Sequence, residues 1–83
     1  MYSVYILYFR SFEKIYVGMS SNLEQRLLSH NELGKKGWTI KFRPWELIHK
    51  EIFSDKQEAL LREKALKGAK GRTWIWDELV AKL

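Results

Sequence analysis

The sequence of 83 residues has no cysteine and a single proline, Pro44. None of its apolar runs approaches the roughly 18 residues that a membrane-spanning helix needs. Without cysteine there is neither a disulfide framework nor a thiolate metal site, so an apolar core must carry stability by itself. Met1-Tyr2-Ser3 lacks the basic stretch and small-residue cleavage site of an export signal. The expectation is therefore a cytoplasmic protein with no membrane partner. No internal repeat, low-complexity tract or linker divides the chain, which reads as one domain over residues 1–83 with room for one modest core. Hydrophobic residues make up 46% and charged residues 30%, far from a disordered composition.

What is present is an uneven charge. The net value is +5, from 15 Lys and Arg against 10 Asp and Glu. Residues 1–34 hold three basic and three acidic side chains, and residues 35–83 hold twelve and seven. Two stretches carry cations without an acid among them: Lys35, Lys36, Lys41 and Arg43, then Lys64, Lys67, Lys70 and Arg72. Such clusters suit a polyanion, because each cation set against a phosphate releases condensed counterions. A solvated basic face that only aids solubility is the plainer alternative.

The pattern along the chain predicts an α+β domain, a three-stranded, mainly antiparallel sheet with flanking helices in the order β-β-α-β-α-α. Residues Tyr2 to Phe9 alternate Tyr2, Val4, Ile6 and Tyr8 with Ser3, Tyr5, Leu7 and Phe9. Both sets are largely apolar, which predicts a central strand. Ile15 to Met19 is its hairpin partner across the polar Arg10 to Lys14, and Gly18 marks a close approach. Ser21-Asn22-Leu23-Glu24 has the form of a capping box that opens a helix from Asn22 to about Asn31. Arg43-Pro44 leads to a third strand, Trp45 to Phe53, nearer a sheet edge. Ser54 and Gln57 form a second capping box, Gly68 a C-terminal cap, and Arg72 to Lys82 a last helix with Trp74, Ile75, Leu79 and Leu83 toward the core.

Three groups of side chains stand out against that frame. Tyr5 and Tyr16 fall on paired strands, where buried phenols are more often core aromatics than catalytic groups. Arg26 and His30, four residues apart, are neighbours on one helix surface, a guanidinium that can fork onto a phosphate beside an imidazole that can move a proton. At about 100° per residue, Glu63 lies only about 40° from Ala59, on the apolar side of its helix. A carboxylate there is either closed in an ion pair or available to a hard divalent cation. Together these groups fill the roles of phosphodiester hydrolysis: deprotonating water, neutralising the phosphate and holding a metal at the leaving oxygen.

At these residues the chain resembles the GIY-YIG nuclease family, and in particular its small stand-alone bacterial members. The two name-giving motifs correspond to Val4-Tyr5-Ile6 and Tyr16-Val17-Gly18. The likeness continues through Gly18 to Leu23, Arg26 and His30, then Arg43-Pro44-Trp45-Glu46, and Glu58 to Glu63 ahead of Lys67. It implies that Glu63 holds one divalent cation, Mg²⁺ or else Mn²⁺, and that Arg26 steadies the scissile phosphate. It also implies that Tyr5 and Tyr16 position or deprotonate the attacking water, with His30 hydrogen-bonded to that group; which phenol is the base stays open. Gly18 would leave room for a DNA backbone gripped by Lys35, Lys36, Lys41, Arg43, Lys64, Lys67, Lys70 and Arg72.

In two places the chain departs from relatives. Met19 stands where several carry lysine, and Ile75 and Trp76 occupy the stretch where many carry asparagine. The resulting expectation is a metal-dependent endonuclease acting on DNA, by branch or flap shape rather than by sequence, in repair or recombination. It is compatible with a partner protein or a homodimer, and with RNA as substrate. Two other readings come from the same residues: a nucleic-acid-binding module that keeps the fold without cutting, and a protein-interaction domain built on Trp38, Trp45 or Trp76.

Overall fold

The structure is a computed structural model and describes residues 1–28 and 45–83. Strand β1 (Tyr2–Phe9) runs into a tight 3₁₀ turn at Arg10–Phe12 and returns as β2 (Lys14–Ser20). Helix α1 starts at Leu23 and is described to Leu28; β3 (Glu46–Phe53), α2 (Lys56–Lys67) and α3 (Ala69–Trp74) follow, then a π-helical segment at Ile75–Val80. The sheet has the order β2-β1-β3 and both pairings are antiparallel. The α+β class and the central place of β1 thus match the reading of its two apolar faces.

A strand with neighbours on both sides and helices over both faces must be apolar throughout, and Val4 to Phe9 are buried without a break. Val4, Ile6 and Tyr8, with Ile15 and Val17 of β2, meet Ala59 and Leu66 of α2 and Ile75. Tyr5, Leu7 and Phe9 turn the other way, against Trp45, Tyr16 and the α1 residues Leu23 and Leu27. One strand therefore serves two cores through its period of two. Opposite the Ile6/Leu7 step the pairing jumps from His49 to Leu47, a bulge that leaves Ile48 as the extra residue.

Both helix starts are capped one residue later than the capping boxes imply. Asn22, not Ser21, accepts at its Oδ1 from the Gln25 N–H at 3.2 Å, while Ser20 Oγ accepts from the Asn22 N–H at 2.9 Å. Asp55, not Ser54, accepts from the Gln57 N–H at 3.1 Å. An amide or carboxylate oxygen at either site competes with the neighbouring serine for the same backbone donors, so adjacent capping residues leave the cap position ambiguous by one.

The C-terminal part also departs from expectation. Gly68 does cap α2, in an extended conformation with φ −74° and ψ 172°, and its N–H donates to the Ala65 carbonyl oxygen. The chain re-enters helix at once, with Gly71 against α2. A Cβ on Gly71 would stand 2.5 Å from Leu66 Cα and closer still to the Ala65 carbonyl oxygen, so only glycine allows this contact. The wider π-helical turn then places Ile75 fully in the core and sets Trp76 edge-on to Tyr8, ring centroids 6.1 Å apart. Leu83, expected to face the core, is exposed. Among the described residues no helix is long and apolar enough to cross a membrane.

Candidate active site

The hairpin register sets Gly18 directly across from Tyr5 and Leu7 across from Tyr16. The two phenols are therefore diagonal neighbours on one sheet face, with ring centroids 6.2 Å apart and planes inclined by 39°. Diagonal packing needs space at the intervening position, and Gly18 provides it. A Cβ there would lie 2.6 Å from both Cζ and the hydroxyl oxygen of Tyr5, and 2.8 Å from Cε1 of Tyr16. The space that a side chain at position 18 would need is thus filled by the phenol end of Tyr5.

Helix α1 crosses the same face on Leu23 and Leu27, and this seats Arg26 over the phenols. The Arg26 guanidinium interacts with the phenols of both Tyr5 and Tyr16, more strongly with Tyr5. Burial pushes the Tyr5 hydroxyl above the usual phenol range, and the bond from Arg26 opposes that rise without cancelling it. The same contact raises the Arg26 guanidinium, chiefly through its bond to Tyr5. Tyr5 is fully buried, whereas Tyr16 is only half-buried and Arg26 is exposed. The result is a protonated donor at the base, an accessible phenol beside it and a cation at the mouth.

Glu63 is carried by α2. Its helix buries Ala59 and Leu66 against the opposite face of the sheet from the one that carries Tyr5 and Tyr16. The Glu63 side chain is 20% exposed, and its Oε2 lies 3.3 Å from Nζ of Lys67 one turn on. Among the described residues this is its only ion pair, and no hydrogen bond joins it to either phenol. Nor, among the described residues, do three or more His, Cys, Asp or Glu side chains gather in a cluster able to hold a metal. A cation held by the described residues alone would therefore have fewer than three such side chains and would fill its remaining positions with waters and substrate oxygens, a coordination that magnesium accepts.

The remaining predicted residues divide in two. Lys64, Lys67, Lys70 and Arg72 are all exposed on α2 and α3. His30, Lys35, Lys36, Lys41 and Arg43 lie outside the described residues, as do Trp38 and the 29–31 end of the first helix. Of the tryptophans offered as a protein-binding surface, Trp45 is buried between Phe9 and Tyr16, and Trp76 packs on Tyr8.

Sequence reasoning missed a polar cluster on the α2 side. Glu51 of β3 accepts a forked pair of bonds from Arg62, at 2.9 Å and 3.0 Å, and lies 2.8 Å from Nε2 of His49. Arg62 and His49 both rest on the Trp74 ring. The bond from Arg62 holds the Glu51 carboxyl below the usual carboxylate range, with His49 adding to the effect. The signal was there as the alternation His49, Glu51, Phe53 on a strand with one buried face, but its partner is eleven residues away on another element.

The profile of the GIY-YIG catalytic domain matches residues 1–75. A UPF0213 protein of Natronomonas pharaonis is 35% identical over 69 residues, covering 80% of this chain and 81% of the relative. A UPF0213 protein of Clostridium perfringens is 38% identical over 64 residues, 77% of this chain and 68% of its own length. With the UPF0213 protein of Staphylococcus haemolyticus the identity is 38% over 53 residues, and the match spans 64% of this chain and 65% of that protein. No solved structure matches the chain. The paired motifs on β1 and β2, the arginine of α1 and a match over most of the length agree, and the chain belongs to the GIY-YIG catalytic domain family.

Proposed function

We propose that this chain is a divalent-metal-dependent endonuclease that hydrolyses DNA phosphodiester bonds at the Tyr5–Tyr16–Arg26 centre. The observation that carries the reading is the pairing of two phenols of unequal burial, ring centroids 6.2 Å apart, at the two motifs of the family and beneath the helix that bears the exposed Arg26. Arg26 forks onto the non-bridging oxygens of the scissile phosphate and stabilises their charge as the transition state forms. Tyr5, kept protonated by its burial, holds Arg26 and Tyr16 in place. Tyr16 is the phenol that reaches solvent, and it orients the attacking water, which gives up its proton to solvent as it attacks. The water oxygen bonds to phosphorus, the bond from phosphorus to the sugar oxygen breaks, and that oxygen leaves with the electron pair and is then protonated.

Glu63 is the carboxylate to hold one Mg²⁺ or Mn²⁺, with His30 beside the attacking water as the family resemblance implies. A cation held there would supply Lewis acidity to a phosphate ester brought within its reach. Ion pairs one helical turn apart are weak, so the Lys67 contact would cost little to release if Glu63 were to hold a cation. Lys64, Lys67, Lys70 and Arg72 grip the DNA backbone, which makes affinity salt-dependent and insensitive to sequence. Selectivity then comes from DNA shape, as in repair or recombination intermediates in the cytoplasm.

A second reading, a binding module that does not cut, is favoured by one observation: α2 packs on the sheet face away from the phenols and Glu63 is already paired. Labelled duplex, flap, junction and single-stranded oligonucleotides incubated with Mg²⁺ or Mn²⁺ separate the two. Under the nuclease reading Glu63→Gln stops cation-dependent nicking and keeps DNA binding. If wild type and variant bind alike and neither cuts any member of the panel, the binding module is correct.

A further inference from the structure

A side chain's cross-strand partner fixes which face of a sheet it occupies, and the register of β3 on β1 sets Lys50 opposite Tyr5. Lys50 therefore stands on the phenol face, in the row Gly18, Tyr5, Lys50, and it is exposed. The bulge at Ile48 brings Leu47 onto that face as well, opposite Leu7, and Ile52 follows opposite Ser3. The acids of β3 belong to the other face: Glu46 and Glu51 lie opposite Tyr8 and Val4, where Arg10 and Arg62 hold them at 3.0 Å and 2.9 Å. Among the described residues Lys50 makes no ion pair. We infer that Lys50 anchors a backbone phosphate one or two nucleotides from the scissile one, an inference that rests on the proposed function of the phenol centre.

Distance, placement and chemistry all favour this occupant. Arg26 interacts most strongly with Tyr5, and Lys50 is one strand away from Tyr5. Neighbouring strands lie about 4.8 Å apart and a DNA strand rises about 3.4 Å per nucleotide, so the two cations meet phosphates that are close along one strand. The other described cations are farther from that row. Lys64 and Lys67 belong to α2, which packs on the opposite face, and Lys14 lies opposite Phe9, about 13 Å along the hairpin from Tyr5. A DNA strand seated on Arg26 therefore meets Lys50 before any of them. An ammonium on a flexible stem is a point charge that holds a phosphate in many orientations, which leaves the planar fork of Arg26 to the reacting group. The plainer role for a lysine on an edge strand is to discourage pairing with the edge of another chain, and a glutamate fills that role equally well.

A flap duplex in which one phosphate at a time is replaced by a neutral methylphosphonate locates each contact. Affinities are to be measured by fluorescence anisotropy without divalent cation, so that cleavage plays no part. Lys50→Ala is expected to bind the unmodified flap about 5- to 10-fold more weakly near 0.1 M salt, the worth of about one released counterion, and to lower the salt slope by about 1. At one position the neutral group should weaken wild type and leave Lys50→Ala unchanged, within about two nucleotides of the position found in the same way for Arg26→Ala. Lys50→Arg should keep wild-type affinity, whereas Lys50→Glu, which still guards the edge, should bind more weakly than Lys50→Ala. Lys82→Ala removes an equal charge already paired with Glu78 at 2.7 Å and should change neither affinity nor salt slope. The inference is overturned if the scan gives Lys50 no position or a more distant one, if Lys50→Glu binds like wild type, or if Lys82→Ala weakens binding equally. Nicking of the unmodified flap with Mg²⁺, assayed in parallel, tests the catalytic reading separately. Intact nicking without a Lys50 position removes only the anchor, and a Lys50 position without nicking removes only the catalysis.

Discussion

The two faces of the sheet share a central strand and little else. Over the α2 side, Val4, Ile6 and Tyr8 meet aliphatic side chains, and the polar groups there, Glu51, Arg62 and His49, are tied to one another. Over the α1 side, Tyr5, Leu7 and Phe9 meet aromatic rings, and the polar groups converge on a guanidinium open to solvent. The first arrangement satisfies its own charges. The second sets an exposed guanidinium beside a half-buried phenol, and the proposed site draws on that difference.

The contrast is sharpest in the expected response to substitution. Leu66→Ala, on the closed face, is expected to cost about 2–5 kcal/mol of stability, because Leu66 is buried where α2 meets both Gly71 and the sheet. Urea unfolding followed by far-UV circular dichroism measures it, and a loss below 1 kcal/mol would mean that this face is not close-packed. Arg26→Ala, on the open face, should leave that unfolding curve nearly in place while lowering nicking by about 10²–10³-fold. The same variant loses the bond that opposes the burial effect on Tyr5, so the phenolate absorbance should rise at higher pH than in wild type. A downward move would contradict the contact.

Acid reaches the closed face. The Glu51 carboxyl is depressed in the folded protein by Arg62, so its stabilising contribution is complete above the unfolded carboxylate pKa, about 4.3, and is lost as pH falls through the lower folded value. Glu51→Gln should cost about 1–3 kcal/mol near neutral pH and flatten that acid limb of the melting temperature. An equally steep limb in the variant would assign it to other carboxylates. The smallest expected effect belongs to Asp55→Ala, which removes the α2 cap for about 1 kcal/mol, whereas Ser54→Ala should change stability hardly at all. Equal losses at both positions would restore Ser54 as a cap.

Much of this was legible in the sequence. The alternation over Tyr2 to Phe9 identified the central strand and sorted its side chains onto the correct faces, because a strand's period of two is local and rigid. The pairing of Tyr5 and Tyr16 across a hairpin was legible for the same reason, and Arg26 followed once Leu23 and Leu27 fixed the face of α1. The caps were off by one, since Ser21 and Asn22, or Ser54 and Asp55, are chemically interchangeable there. The Glu51–Arg62–His49 cluster and the π-helical turn at Ile75–Val80 were not legible. Each depends on how β3, α2 and the C-terminal helix meet rather than on any local pattern.

The sequence by itself determined the strands, the first two helices, the family and the residue types of the centre, since each of these is written in short-range periodicity or motif. The tertiary structure alone decided that Gly18 yields its space to Tyr5, that Tyr5 is buried while Tyr16 reaches solvent, and that α2 lies across the sheet from both. Burial and cross-sheet placement are sums over the whole packed chain, and no window of neighbouring residues contains them.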